Sequence, residues 1–340
     1  MVFSIVLLFV FFACMFLLNV KIENKKSLMI AVWLIMALIV TFRPENMPDR
    51  YEYVMFYKEG GSGRFEWGYL VLTDILRMWD FDVYFYLFFF ASISIGLKLY
   101  AMAKMTPLIW GSLVIYVSHI FILNDAIQMR AAIASGFLLF SIYYSYKRNL
   151  IRFLLATTVA CCFHYSSIII VFVWFLNGKK TYRYLYVGLL LASYALVNTI
   201  TLSNYIEFIP FLFVQNAWSM YNTELGGEYA DIFSIGAFMR LFMSVFSFVF
   251  IDKISRKNEL FILFAKVYAI SIVIFVLFSD FKVVSLRLSL LLQVVEILFI
   301  PMFIYSVNIN GFCKRLLVVI IGAILLSANI SYIDSNVKLF

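Results

Sequence analysis

The chain has 340 residues, 64% of them hydrophobic and 14% charged, with a formal net charge of +8. Soluble domains carry roughly a quarter charged residues, so this composition excludes a soluble globular protein and defines a polytopic membrane protein. The basic excess falls mostly in short loops between apolar runs, which is the positive-inside pattern and not the footprint of a nucleic-acid binder.

The apolar periodicity predicts an all-α integral membrane protein, a single transmembrane domain over 1–340 with about twelve spans. These fall near 2–20, 28–42, 84–100, 106–123, 127–146, 150–163, 165–177, 184–202, 232–250, 259–278, 284–306 and 315–333. The first run lacks a basic start and a small-residue cleavage site, so it reads as a span and not as a cleaved signal. Cys14, Cys161, Cys162 and Cys313 lie in or beside apolar runs and show neither metal spacing nor a disulfide framework.

The stretch 150–177 sets the topology. As one helix its 28 residues would span about 42 Å, long for a hydrocarbon core of about 30 Å. As a short hairpin turning at Phe163–His164 it places Lys179, Lys180, Arg183, Lys253, Arg256, Lys257, Lys314 and Arg315 inside, with Lys282, Arg287 and Lys338 outside. A single span inverts that eight-to-three count, so the hairpin is the reading that charge favours. Both termini and two large segments then lie outside. The first, about 43–83, mixes charge with aromatics, has a GGSG break at Gly60–Gly63, and carries a surface helix from Glu66 to Trp79. The second, about 203–231, holds Glu207, Glu224, Glu228 and Asp231 without Lys or Arg.

With this topology Arg130 and His164 return to the same outer face, and ionisable groups at membrane depth are functional candidates by default. Asn124, Asp125 and Gln128 beside Arg130 suggest a wet pocket mouth; the competing reading of Arg130 is snorkelling to the interface. His164 stands at the hairpin tip with Ser166 and Ser167, where capping is the competing role. Arg240 lies about two turns inside its span and should face an aqueous cavity or an anion, whereas snorkelling rivals any site role for Arg287. Lys266 and Glu296 fall at similar depth and suit an ion pair. His119 lies within a span with no evident partner and reads as structural. Asp49, Tyr53, Glu66 and Tyr69 are polar and aromatic candidates in the first outer segment.

In order, these residues form a pattern: Arg43, then Asp49 with Tyr53 and Tyr57 at four-residue spacing, Glu66-Trp67-Gly68-Tyr69, Gln128-Met129-Arg130, and Phe163-His164-Tyr165-Ser166. Over roughly residues 40–180 it resembles the EpsG/Wzy family of O-antigen and exopolysaccharide polymerases. Ala131 and Arg50 stand where that family often has Gln and Tyr. The resemblance implies a fold like the lipid-dependent membrane glycosyltransferases (GT-C-like). It also implies transfer of a growing glycan from undecaprenyl pyrophosphate to a lipid-linked repeat unit, at the periplasmic face of a bacterial inner membrane. The implied partners are the undecaprenyl-pyrophosphate-linked oligosaccharide, membrane lipid and a chain-length regulator protein, with no nucleic acid. An O-antigen ligase, or a flippase for the same lipid-linked unit, is the alternative.

That chemistry needs a base near the acceptor hydroxyl and fixed donors for the pyrophosphate that leaves. Arginine grips phosphate with a planar fork and stays ionised, so Arg130, with Arg240 and Arg287, is expected on the pyrophosphate, and no metal or other cofactor is expected. His164 binds the pyrophosphate or shuttles a proton, and Asp49, Glu66 and His164 are each candidates for the base. Arg43, Gln128 and Ser166 join the substrate-binding set, with Tyr53 and Tyr69 expected to stack on sugars.

Overall fold

The computed structural model describes residues 1–60, 65–176, 178–197, 229–256 and 258–337, and among them there is no strand. Contacts gather into two compact units, Met1–Phe175 with Glu296–Phe340, and Leu176–Val295.

The first unit contains α1 (Val2–Leu17), α2 (Lys25–Thr41), α3 (Arg50–Glu59), α4 (Trp67–Met78), α5 (Val83–Met105), α6 (Ile109–Ser118), α7 (Met129–Tyr146) and α8 (Leu150–Phe163). A helix that is apolar all round belongs inside a bundle, and every residue of α6 is buried. It packs against α1 and against the two C-terminal helices of this unit, α14 (Glu296–Ser306) and α15 (Gly311–Val337). Gly322 of α15 allows that approach, since a Cβ there would lie 2.8 Å from Val114. His119, read above as lacking a partner, ends α6 with Nδ1 2.7 Å from the Glu296 carboxylate.

The hairpin expected at 150–177 is present in the fold. Helix α8 stops at His164, whose extended backbone ends the α-helical run, and a 3-10 helix, Tyr165–Phe175, returns along it. Arg148 donates to the Trp174 carbonyl at 2.7 Å, and the Phe153 and Trp174 rings lie 5.1 Å apart, so the two arms run antiparallel. The 14 residues of α8 rise about 21 Å and the 11 of the 3-10 helix about 22 Å, so the arms match in length although their residue counts differ. Both arms fall short of a hydrocarbon core of about 30 Å.

The second unit contains α9 (Arg183–Leu196), α10 (Ile235–Val249), α11 (Ile251–Ser255), α12 (Leu260–Leu277) and α13 (Lys282–Gln293). Helix α12 packs against α9, α10 and α13. Lys266, within α12, donates to the Lys180 carbonyl at 2.6 Å and sits over the Tyr182 and Tyr186 rings.

Among the described residues three helices, α5, α12 and the Gly311–Ile333 part of α15, are long and apolar enough to cross a membrane. Several expected spans are shorter or interrupted. The run at 106–123 leaves the α-helix at Ser118 and passes into a π-helical turn, Phe121–Asp125, while 284–306 breaks after Gln293 and resumes at Glu296. In the first outer segment α4 occupies the surface helix expected from Glu66 to Trp79. Most of the second outer segment, with Glu207, Glu224 and Glu228, lies outside the described residues.

Candidate functional site: a buried Glu–Arg–His cluster

The site begins with the way α3 and α4 fold over each other. Spacing of three and four residues puts Tyr53, Phe56 and Tyr57 on one buried face of α3. Phe56 meets Phe65 with ring centroids 4.2 Å apart, and Tyr57 stacks on Tyr86 of α5 at the same distance. Tyr69 packs on Phe90 at 4.7 Å, and its hydroxyl is hydrogen-bonded to that of Tyr86. Arg77 ties the pair together from outside, donating to the Tyr57 carbonyl at 2.8 Å with its guanidinium over the Phe56 ring. Tyr53 and Tyr69, expected to offer ring faces to a sugar, are thus packed inside this aromatic core, 3% and 0% exposed.

Three ionisable groups converge beneath it. Glu66 precedes α4 in extended conformation, and its side chain caps no backbone N–H. The carboxylate turns inward, forming an ion pair with Arg130 Nη1 through Oε2 and lying 3.2 Å from His164 Nδ1 through Oε1. Arg130 enters from the first turn of α7, with its guanidinium 4.7 Å above the Phe65 ring and hydrogen-bonded to the Tyr53 hydroxyl. His164 arrives at the C-terminal end of α8. Its Nε2 is buried and has no hydrogen-bond partner among the described residues. The Glu66 side chain is 5% exposed, that of His164 13% and that of Arg130 22%, so access to the cluster is by way of the arginine and the imidazole.

Burial alone would push the Glu66 carboxyl up, but the His164 hydrogen bond and the Arg130 charge outweigh it and hold the group below the usual glutamate value. The Tyr53 hydroxyl goes the other way: burial raises it despite the nearby Arg130. Arg43 lies beside the cluster, 2% exposed, donating to the Val40 carbonyl at 3.2 Å and to the Met129 sulfur at 3.3 Å. Burial lowers it to about 10, still cationic at neutral pH, and among the described residues no carboxylate pairs with it.

The remaining candidates are more dispersed. Asp49 is half-buried at the start of α3 with φ +61°, Gln128 is half-buried just before α7, and Ser166 is half-buried two residues after His164. Arg240 and Arg287 belong to α10 and α13 of the second unit. Asn124 and Asp125, read as a wet pocket mouth, are instead 1% exposed. Asp125 Oδ1 is 2.8 Å from Lys98 Nζ and its Oδ2 accepts from Tyr116 at 3.0 Å; Lys98 also donates to the Ala132 carbonyl in the first turn of α7. The sequence reading passed over this pair, although a lysine inside the span at 84–100 is itself the signal that a buried counter-ion exists. It quotes Gly68 within the Glu66–Tyr69 motif without a role, where the glycine lets α4 touch α8, and it passes over Phe65, which lies under Arg130.

Fold and site together define a helical membrane protein with a buried carboxylate, guanidinium and imidazole gathered at one end of its hairpin. The chain belongs to the EpsG family, whose profile matches residues 26–340. It is also similar to the amylovoran biosynthesis protein AmsC of Erwinia amylovora, 28% identical over 166 residues, a match that covers 44% of this chain and 44% of that protein. No solved structure matches the chain significantly.

Proposed function

We infer that the protein is a polysaccharide polymerase, transferring a growing glycan from undecaprenyl pyrophosphate to a lipid-linked repeat unit at the periplasmic face of the inner membrane. The observation that carries this reading is the charge of the site: two guanidinium groups, Arg43 and Arg130, against one buried carboxylate, Glu66. Such a surplus of positive charge is costly in an apolar setting and is relieved by an anion. A pyrophosphate supplies that anion, and the arginine fork suits its oxygens. Membership of the EpsG family and likeness to a protein named for amylovoran biosynthesis agree with a polysaccharide product.

The proton route follows from His164. With Nδ1 held by Glu66, its Nε2 is left as the acceptor for the proton of the attacking sugar hydroxyl. The low Glu66 carboxyl makes it a weak base but a good orienter, stabilising the imidazolium as the proton arrives. The anomeric carbon exchanges its bond to the pyrophosphate oxygen for one to the acceptor oxygen, and the pyrophosphate leaves with the electron pair. Arg130 and Arg43 stabilise the charge gathered there. Tyr53 and Phe65 serve this step by holding Arg130. Asp49, Gln128 and Ser166 border the acceptor.

The test is the surface glycan of a strain lacking the gene. A polymerase predicts a single repeat unit where the parent has long chains; unsubstituted lipid A core with polymer still lipid-linked would identify a ligase and overturn the reading.

A further inference from the structure

Helices α2 and α5 leave a groove of about 460 Å³ between them, at the end of the bundle remote from Glu66, Arg130 and His164. That end is basic. Lys104 lies over the Tyr143 and Tyr144 rings, Arg152 over Tyr144 and Lys147 over Tyr143, all near the last turn of α7. Arg130 is at the first turn of the same helix, whose 18 residues rise about 27 Å.

The groove itself joins two kinds of surface. Its mouth is formed by Lys25, Lys26 and Ala103, and its walls by Trp33, Gly96 and Tyr100. Lys25 donates to the Ala103 carbonyl at 2.5 Å, which fixes its ammonium at the mouth and leaves two further donors. Lys26 is exposed, and Lys104 lies 5.7 Å from the centre of the Tyr100 ring, so a third cation borders the opening. No lining residue is acidic. Trp33 is held by its indole N–H to the Ser92 carbonyl at 2.8 Å, and Gly96, beside it, has no side chain to close the space. From Lys25 to Trp33 the groove follows α2 for about 12 Å, along the helix.

An apolar slot parallel to the helices, opening on three lysines, matches a molecule with a hydrocarbon chain and an anionic head. Lysines at a membrane surface attract anionic lipids by roughly 1 kcal/mol each, or about fivefold. We propose that this groove is a binding site for an anionic phospholipid, its acyl chain along Trp33 and Gly96 and its phosphate at Lys25, Lys26 and Lys104. The site is separate from the Glu–Arg–His cluster and does not depend on the reaction assigned to it.

Trp33 provides the probe. The chain is reconstituted into phosphatidylcholine vesicles in which a fifth of the lipid is brominated on its acyl chains, carried on phosphatidylglycerol in one set and phosphatidylcholine in the other. Quenching of the Trp33 component, obtained by difference from Trp33→Phe, should report an affinity at least about fivefold higher for the brominated phosphatidylglycerol. Lys25→Gln with Lys26→Gln should bring the ratio towards one. Equal quenching by the two lipids in the native chain overturns the proposal without any lysine variant, and so does a preference unchanged by the lysine substitutions. Relief of quenching by a polyprenyl phosphate at a hundredth of the phosphatidylglycerol concentration would assign the groove to a different lipid and also overturn it.

Discussion

Gly68 touches the backbone of Cys162 so closely that a Cβ on Gly68 would lie 2.9 Å from both the Cβ and the carbonyl oxygen of Cys162. Gly68 is two residues after Glu66, and Cys162 two residues before His164. The contact between α4 and α8 therefore fixes the distance between the carboxylate and the imidazole. Gly68→Ala must displace backbone, because the obstructing carbonyl cannot rotate away as a side chain would. Overpacking of this kind costs about 1–3 kcal/mol. We expect a lower thermal midpoint and a loss of polymer length at normal membrane insertion. Gly188→Ala in α9, where a Cβ meets nothing within 4 Å, should be silent or slightly stabilising in both measurements.

Arg130 separates an anion site from a membrane anchor. Lysine keeps the charge and reaches the interface equally well, but it lacks the planar fork. An anchor would tolerate Arg130→Lys. A donor to the leaving pyrophosphate would not: removing such a donor costs about 3–4 kcal/mol, on the order of a hundred- to thousandfold in rate. We expect the variant to insert normally and yield mostly single-repeat product, read on a glycan gel at matched low expression.

Acid should weaken the cluster in a defined direction. The Glu66 carboxyl is held below its ordinary value, so its contribution is complete above that ordinary value and is lost as pH falls through the depressed one. The thermal midpoint of the purified protein should therefore fall more steeply between pH 6 and pH 3 than that of Glu66→Gln, to use roughly the range spanned by carboxylates. Parallel curves would show that Glu66 titrates alike in the folded and unfolded chain.

The Lys98–Asp125 pair is fully buried, and breaking one side leaves an uncompensated charge, at a cost of about 3–5 kcal/mol. Asp125→Ala should prevent stable accumulation, whereas Lys98→Met with Asp125→Asn, which leaves no net charge, should recover most of it. Equal levels of the single and double variants would contradict the pairing.

Some of this was legible in the sequence, and the rest was hidden for identifiable reasons. The turn at Phe163–His164 was readable because the charge count on either side of it is lopsided, and charge placement follows topology. Glu66, Arg130 and His164 were each readable as polar residues beside apolar runs. The hairpin brings Arg130 and His164 to one face on sequence grounds alone; their direct contact with Glu66 is not legible, because 64 residues separate Glu66 from Arg130 and 98 separate it from His164. His119 seemed partnerless because Glu296 is 177 residues away. Tyr53 and Tyr69 were read as sugar platforms because a ring suited to a sugar is equally suited to a core. Asp125 reads as a pocket mouth because polar Asn124 and Gln128 flank it beside Arg130, and the π-helical turn in which it is buried leaves no periodicity of its own.

The charge count predicts that the tip of the hairpin faces outward and its base inward. Cysteine at Tyr165, exposed at the tip, should react with an impermeant thiol reagent in intact spheroplasts, while cysteine at Lys179, exposed beyond the second arm, should react only after lysis. Both are placed in a background without the native cysteines. Labelling of position 179 in intact cells would put His164 on the wrong side for a periplasmic site.

The most direct measurement is polymerisation by the purified chain in proteoliposomes, supplied with the undecaprenyl-pyrophosphate-linked repeat unit of its own strain. The account predicts a ladder of lipid-linked products, one undecaprenyl pyrophosphate released for each new glycosidic bond, and little beyond the single repeat from Arg130→Lys or His164→Ala. Absence of any elongation by the folded native protein, or an undiminished ladder from both variants, would contradict it.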